Sequence, residues 1–204
     1  MKRFIKHYAL EIYTLISLLL LLVGALTDDL SIVQKFVMVY VLLFVLHEWE
    51  EMYYPGGFIV LISGMIGRNV SDEQKRASRI AAGILLLAFT IIPFYWDSCV
   101  IAILVTAVFG IFEGFVHLMA IRLFRLKKFY SPGLVTAFME LLTSVALIIY
   151  INQNNMATAI DYIAGVGIMM LCFIAMQKSL TMMIGLKYSE MPKMVRRQWS
   201  KTEN

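Results

Sequence analysis

The stretch Ile32–Tyr54, IVQKFVMVYVLLFVLHEWEEMYY, decides how this chain is read. It is apolar as far as Leu46 apart from Gln34 and Lys35. It then carries His47-Glu48-Trp49-Glu50-Glu51 and closes at Pro55-Gly56-Gly57. A charged side chain at the centre of a bilayer costs about 3 kcal/mol or more. A run long enough to cross a membrane therefore holds one histidine and three carboxylates against a strong penalty. On a helix, positions i, i+3 and i+4 share a face. His47, Glu50 and Glu51 thus form one stripe, and Glu48 and Trp49 point elsewhere.

The rest of the chain supports a membrane reading of that stretch. The 204 residues are 60% hydrophobic and 16% charged, whereas a soluble domain carries about 45–50% apolar and about 25% charged residues. The expected fold is all-α: a polytopic transmembrane bundle of about six spans, forming a single domain over 1–204. The net charge of +4 reads as a topology signal, because the basic residues cluster in particular loops. No basic patch interleaves with exposed aromatics, so nucleic acid is not an expected partner. Cys99 and Cys172 are far apart and read as packing residues.

Six apolar runs follow in order: about Tyr8–Leu26, Ile32–Tyr54, Ile80–Tyr95, Val100–Leu123, a fifth opening at Ser131-Pro132 and reaching Tyr150, and Ala159–Ile184. Each approaches the ~20 residues that a crossing needs. Phe58–Ile66 is too short to cross and reads as an interfacial or re-entrant piece. Ser71-Asp72-Glu73 reads as a helix start, and Arg68–Arg79 as a polar loop. Ser131 is expected as the N-cap of the fifth helix, with Pro132 at its first position. Gly110 and Gly114 on the fourth run allow close helix approach. The N-terminus, the Arg68–Arg79 and Arg122–Lys128 loops and the tail 186–204 are basic; the alternate connections carry almost no positive charge. Lys and Arg favour the cytoplasmic side. Both termini are therefore expected in the cytoplasm, with the protein in the cell membrane.

Depth then follows from a rise of ~1.5 Å per residue. His47 lies ~11 Å and Glu51 ~5 Å from the cytoplasmic end of the second span. Glu113 and His117, an i, i+4 pair on the fourth span, lie at roughly 13 and 7 Å. Thr136 and Glu140 on the fifth lie at roughly 6 and 12 Å. Three helices place ionisable groups at one level, and Glu11 on the first is near it. Such groups face a bundle interior and pair with one another. A divalent metal favours carboxylate and neutral imidazole together. The expected ligands are His47, Glu50, Glu51, Glu113, His117 and Glu140. Glu50 or Glu140 is the expected general base. Zinc or iron is the expected ion.

His47-x-x-Glu50-Glu51 in an early helix resembles the HXXEE domain family of small integral membrane proteins. Glu113-x-x-x-His117 and Tyr130-Ser131-Pro132-Gly133-Leu134-Val135-Thr136-Ala137 are similar to that family's other recurring features, with Ser131 standing where the family has asparagine. The resemblance covers about residues 8–185. It implies a membrane location and supplies no reaction. The residues themselves point to a metal-dependent membrane enzyme, either a hydrolase or a di-iron-type oxidoreductase, acting on a lipid or other amphiphile. A proton- or metal-coupled transporter and a non-catalytic scaffold or immunity-type protein are the alternatives.

Overall fold

A computed structural model describes residues 2–65, 67, 69–185, 187–190, 192–193 and 196. Most of the basic tail 186–204, together with Ile66 and Arg68, lies outside the described residues. Among the described residues the chain is all-α. Its helices are α1 (Lys2–His7), α2 (Ala9–Ala25), α3 (Ile32–Met52), α4 (Phe58–Met65), α5 (Asp72–Tyr95), α6 (Val100–Leu123), α7 (Leu134–Gln153) and α8 (Ala159–Met183). Five of them, α3 and α5 to α8, are long and apolar enough to cross a membrane; α2 is apolar but has 17 residues.

The helix starts follow local chemistry. Ser31 with Gln34, Ser71 with Gln74 and Thr158 with Asp161 each form a capping box, so α3, α5 and α8 begin where a side chain takes up orphan N–H groups. The Ser71 cap has a consequence for the site. It starts α5 at Asp72, about two turns before the apolar run at Ile80, so Arg79 lies inside a helix and not in a loop. The start of α7 differs from expectation. Its N-cap is Gly133 in the left-handed region, with no side-chain cap of its own, so Ser131 and Pro132 precede the helix. Its free N–H groups are taken instead by Glu50 of α3.

Packing places α3, α6 and α7 side by side. α6 and α7 share the most extensive contact of any helix pair. Gly110 and Gly114 make it possible. A Cβ at Gly110 would collide with Ser144 Oγ and lie 3.1 Å from the Glu140 carbonyl, and one at Gly114 would lie 2.7 Å from Leu141 Cδ1. Tyr40, Phe44, Leu104 and Ile151 form the centre of the core, each fully buried. Pro93 lacks the N–H that would satisfy the Phe89 carbonyl within α5. The Thr106 hydroxyl of α6 donates to that carbonyl at 2.5 Å, which ties α5 to α6. α8 lies on α5 and α6 and turns most of its apolar surface outward.

Candidate metal centre

Four elements meet at the end of the bundle where α3 finishes and α7 begins. α3 contributes His47, Glu48, Glu50 and Glu51; α6 contributes Glu113 and His117; α5 contributes Arg79; the turn before α7 contributes Tyr130, Ser131 and Gly133. All of these except Tyr130 and Gly133 are buried to 9% exposure or less. Glu11 is exposed and takes no part.

Each carboxylate of the α3 motif has a different partner. Glu50 turns to α7. It accepts hydrogen bonds from the Val135 N–H (3.2 Å), the Thr136 N–H (2.9 Å), the Thr136 hydroxyl (2.6 Å) and the Tyr130 phenol (2.8 Å). A carboxylate at this place caps the helix and complements its dipole. Burial and the adjacent Glu50 carboxylate push the Tyr130 phenol up, so it remains a proton donor. Glu48 and Glu51 turn to α5, where Arg79 Nη1 donates to Glu48 Oε2 at 2.9 Å and to Glu51 Oε2 at 2.7 Å. Glu51 Oε1 is left to face the two histidines. With four donors on its carboxylate, Glu50 is positioned as a cap rather than as a ligand. Glu140 approaches His47 from the Nδ1 side, with Oε1 at 3.9 Å. Neither Glu50 nor Glu140 lines the cavity described below.

The hydrogen bonds assign the imidazole tautomers. The Thr136 hydroxyl has one hydrogen, and Glu50 takes it at 2.6 Å. Thr136 Oγ1 must then accept from His47 Nδ1, 3.0 Å away. Ser131 repeats the arrangement at the second ring: its hydroxyl donates to the His117 carbonyl at 2.9 Å and faces His117 Nδ1 at 3.4 Å. Both rings therefore carry the proton on Nδ1. Both Nε2 lone pairs are left pointing inward, as in metal sites whose histidines donate their other N–H to a neighbouring oxygen.

What those lone pairs face is more negative charge. His117 Nε2 lies 3.4 Å from Glu51 Oε1 and 3.6 Å from Glu113 Oε2, and His47 Nε2 lies 3.7 Å from Glu51 Oε1. His117 Nε2 and both oxygens of Glu140 are buried without a hydrogen-bond partner. The two rings stand edge to face, with centroids 4.9 Å apart. His47, Glu113 and His117 each place one ligand atom within 4.8 Å of the others, a group that could hold a metal ion. A tetrahedral centre with bonds of ~2.0–2.1 Å has ligand–ligand edges of about 3.3–3.4 Å. The three histidine–carboxylate separations are slightly longer, and the ligand atoms of His47, Glu113 and His117 lie within 4.8 Å of one another. The residues present thus fit a divalent ion: nitrogen and oxygen ligands converge, and His117 Nε2 has no hydrogen-bond partner.

Gly133 closes the site from the α7 side. Its φ is 95°, and a Cβ there would come within 2.5 Å of His117 Cε1, 2.9 Å of His47 Cε1 and 3.0 Å of Glu51 Cγ. Phe58 of α4 packs against the His117 ring, with centroids 4.9 Å apart and planes tilted by 33°. A cavity of about 340 Å³ adjoins the cluster, with His47, Glu48, Glu51, Arg79 and Glu113 in its wall. The remainder of its lining is mostly apolar, drawn from α4, α5, α6 and α8, for example Ile62, Leu86, Met119 and Phe173.

Sequence reasoning missed Arg79, Gly133 and the hydroxyl of Ser131. One signal for Arg79 was available. Buried carboxylates need a cation, and Arg79 is the basic residue immediately before an apolar run.

No curated protein and no solved structure matches the chain. A family model described as a protein of unknown function with HXXEE motif matches residues 38–151, more than half of the chain. That segment contains every expected ligand from His47 to Glu140, and Arg79 as well. The chain belongs to the HXXEE family.

Proposed function

We propose that this protein is an integral membrane metalloenzyme that hydrolyses a lipid-like amphiphile at a site made by His47, Glu51, Glu113 and His117. The reading takes α2 as a sixth span, places both termini in the cytoplasm by the Lys/Arg distribution, and treats the chain as one domain in the cell membrane. The observation that carries it is the grouping of His47, Glu113 and His117, with Glu51 Oε1 facing both imidazoles, beside an apolar cavity. A bound divalent ion would supply Lewis-acid polarisation of an ester or amide carbonyl. The protein's own part is to hold the ligands in place, through Thr136 and Ser131 on the histidines and Arg79 on Glu51. It also keeps water from the apolar side, where Phe58 covers His117.

A single ion is favoured over a pair. A di-metal bundle draws on carboxylates and histidines from facing helices for both ions. Here Glu50 is committed to α7, and Glu140 lies behind His47, away from its Nε2. One ion with nitrogen and oxygen ligands suits zinc and hydrolysis better than a di-iron oxidation.

Metal analysis of the purified protein tests the reading. About one zinc per chain is expected for the wild type, and His47→Ala and His117→Ala are each expected to lose it. Incubation of the wild type with membrane lipid extract should release products that mass spectrometry identifies as cleaved amphiphile. Metal-free wild-type protein whose melting temperature is unmoved by EDTA would overturn the proposal. Metal flux in proteoliposomes without cleavage would replace it with a carrier.

A further inference from the structure

Two cavities adjoin the cluster, and they differ in chemistry. The first is the apolar chamber of about 340 Å³. The second, about 310 Å³, is lined by Tyr53, Asp72, Lys75 and Arg76 among others. Glu51, Ile59 and Arg79 line both. The boundary between the chambers is therefore the ligand carboxylate Glu51 and the cation that holds it.

The charged groups of the second chamber are not equivalent. Its carboxylates are already matched: Glu51 by Arg79 at 2.7 Å, and Asp72 by Lys75 at 2.9 Å. Arg79 Nη1 is taken by Glu48 and Glu51, while Arg79 Nε is buried without a hydrogen-bond partner. Lys75 has three donors and Asp72 takes one. Arg76, on the same face of α5 as Arg79, is half-buried and has no hydrogen bond or ion pair among the described residues. A planar fork of N–H groups without an acceptor, set in a cavity of that size, matches a phosphate or carboxylate. The chamber on the other side of Glu51 has a mostly apolar lining and suits a hydrocarbon chain.

We infer that the site takes an anionic amphiphile, its chain in the apolar chamber and its anionic headgroup beside Arg76 and Lys75. The linkage between the two halves then passes over Glu51, next to His47 and His117. The inference rests on the metalloenzyme reading for what becomes of the ligand, but not for its binding.

The test uses the full-length protein in neutral maltoside micelles after EDTA treatment. It is titrated with hexadecyl phosphate, hexadecyl phosphocholine and hexadecanol, with affinities read by native mass spectrometry. Hexadecyl phosphate is expected to bind about tenfold more tightly than hexadecanol, as a charge-assisted bond at a half-buried site allows. Arg76→Gln should remove that preference and leave hexadecanol binding unchanged. Ala82→Trp, which fills the apolar chamber, should weaken all three. Equal affinity for the three probes, or a preference unchanged in Arg76→Gln, would overturn the inference. So would displacement of hexadecyl phosphate by equimolar inorganic phosphate, which would make the chamber a free-anion site. The titration is metal-free, so the two readings fail separately. A head preference in a protein that never holds metal refutes only the metalloenzyme. Full metal content without a head preference refutes only the amphiphile.

Discussion

Gly133→Ala is expected to abolish metal binding and to lower the melting temperature. Two penalties act together. The φ of 95° is costly for any residue with a Cβ, by roughly 1–2 kcal/mol. The added methyl would also lie 2.5 Å and 2.9 Å from the Cε1 atoms of His117 and His47. Cε1 is bonded to both ring nitrogens. Pushing it aside misdirects the Nε2 lone pair and breaks the Nδ1 hydrogen bond in one movement, at both rings. Gly57 supplies the control. Its φ of 104° is just as unfavourable, but a Cβ there meets only Pro132 Cγ at 3.9 Å. Gly57→Ala should therefore show the backbone cost and keep its metal. Stoichiometric metal in Gly133→Ala would mean that the two histidines do not share an ion at this place.

Arg79→Met should be the most destabilising change outside the ligand set. It keeps the apolar stem of the side chain and leaves Glu48 and Glu51 buried without a cation. Breaking a buried ion pair from one side costs about 3–5 kcal/mol, and here one guanidinium serves two carboxylates. Adding Glu48→Gln removes one of the stranded charges, so the double variant should regain part of the lost stability. Metal affinity should fall by about 10–100-fold in both, because Glu51 loses the partner that fixes its second oxygen. Thermal unfolding gives the first quantity and competition with a chelator the second. An Arg79→Met protein as stable as the wild type would show that the ion pair of α3 with α5 does not hold the bundle together.

The part of this arrangement that was legible in the sequence is the part set by periodicity and cost. Runs of apolar residues gave the long helices to within a few residues, apart from the first two turns of α5. The expense of His47, Glu51, Glu113 and His117 in apolar segments marked them as a group, and common depth suggested that they meet. Polarity did not reveal what each group faces. Glu50 and Glu51 are adjacent, identical in type and similarly buried, yet one caps α7 and the other points at the histidines. Their separation depends on the direction of each side chain around the helix and on where α7 starts. The start of α7 was misplaced because Ser131-Pro132 has the composition of a helix opening. The chain spends Ser131 on His117 and lets a distant carboxylate do the capping. Arg79 was hidden for a related reason: a charged loop and the first turns of a charged helix have the same composition.

The way Glu50 holds α7 has a further effect. Two of its four hydrogen bonds go to main-chain N–H groups, of Val135 and Thr136. Every residue except proline offers that group. The contact joining α3 to α7 therefore demands glutamate on one helix and no particular side chain at residue 135 on the other. Pairwise covariation records side chains that change in step, and this joint leaves it nothing to record at that position. The main-chain half of this link would be silent in an alignment, while its bonds from the Thr136 hydroxyl and the Tyr130 phenol would stand out.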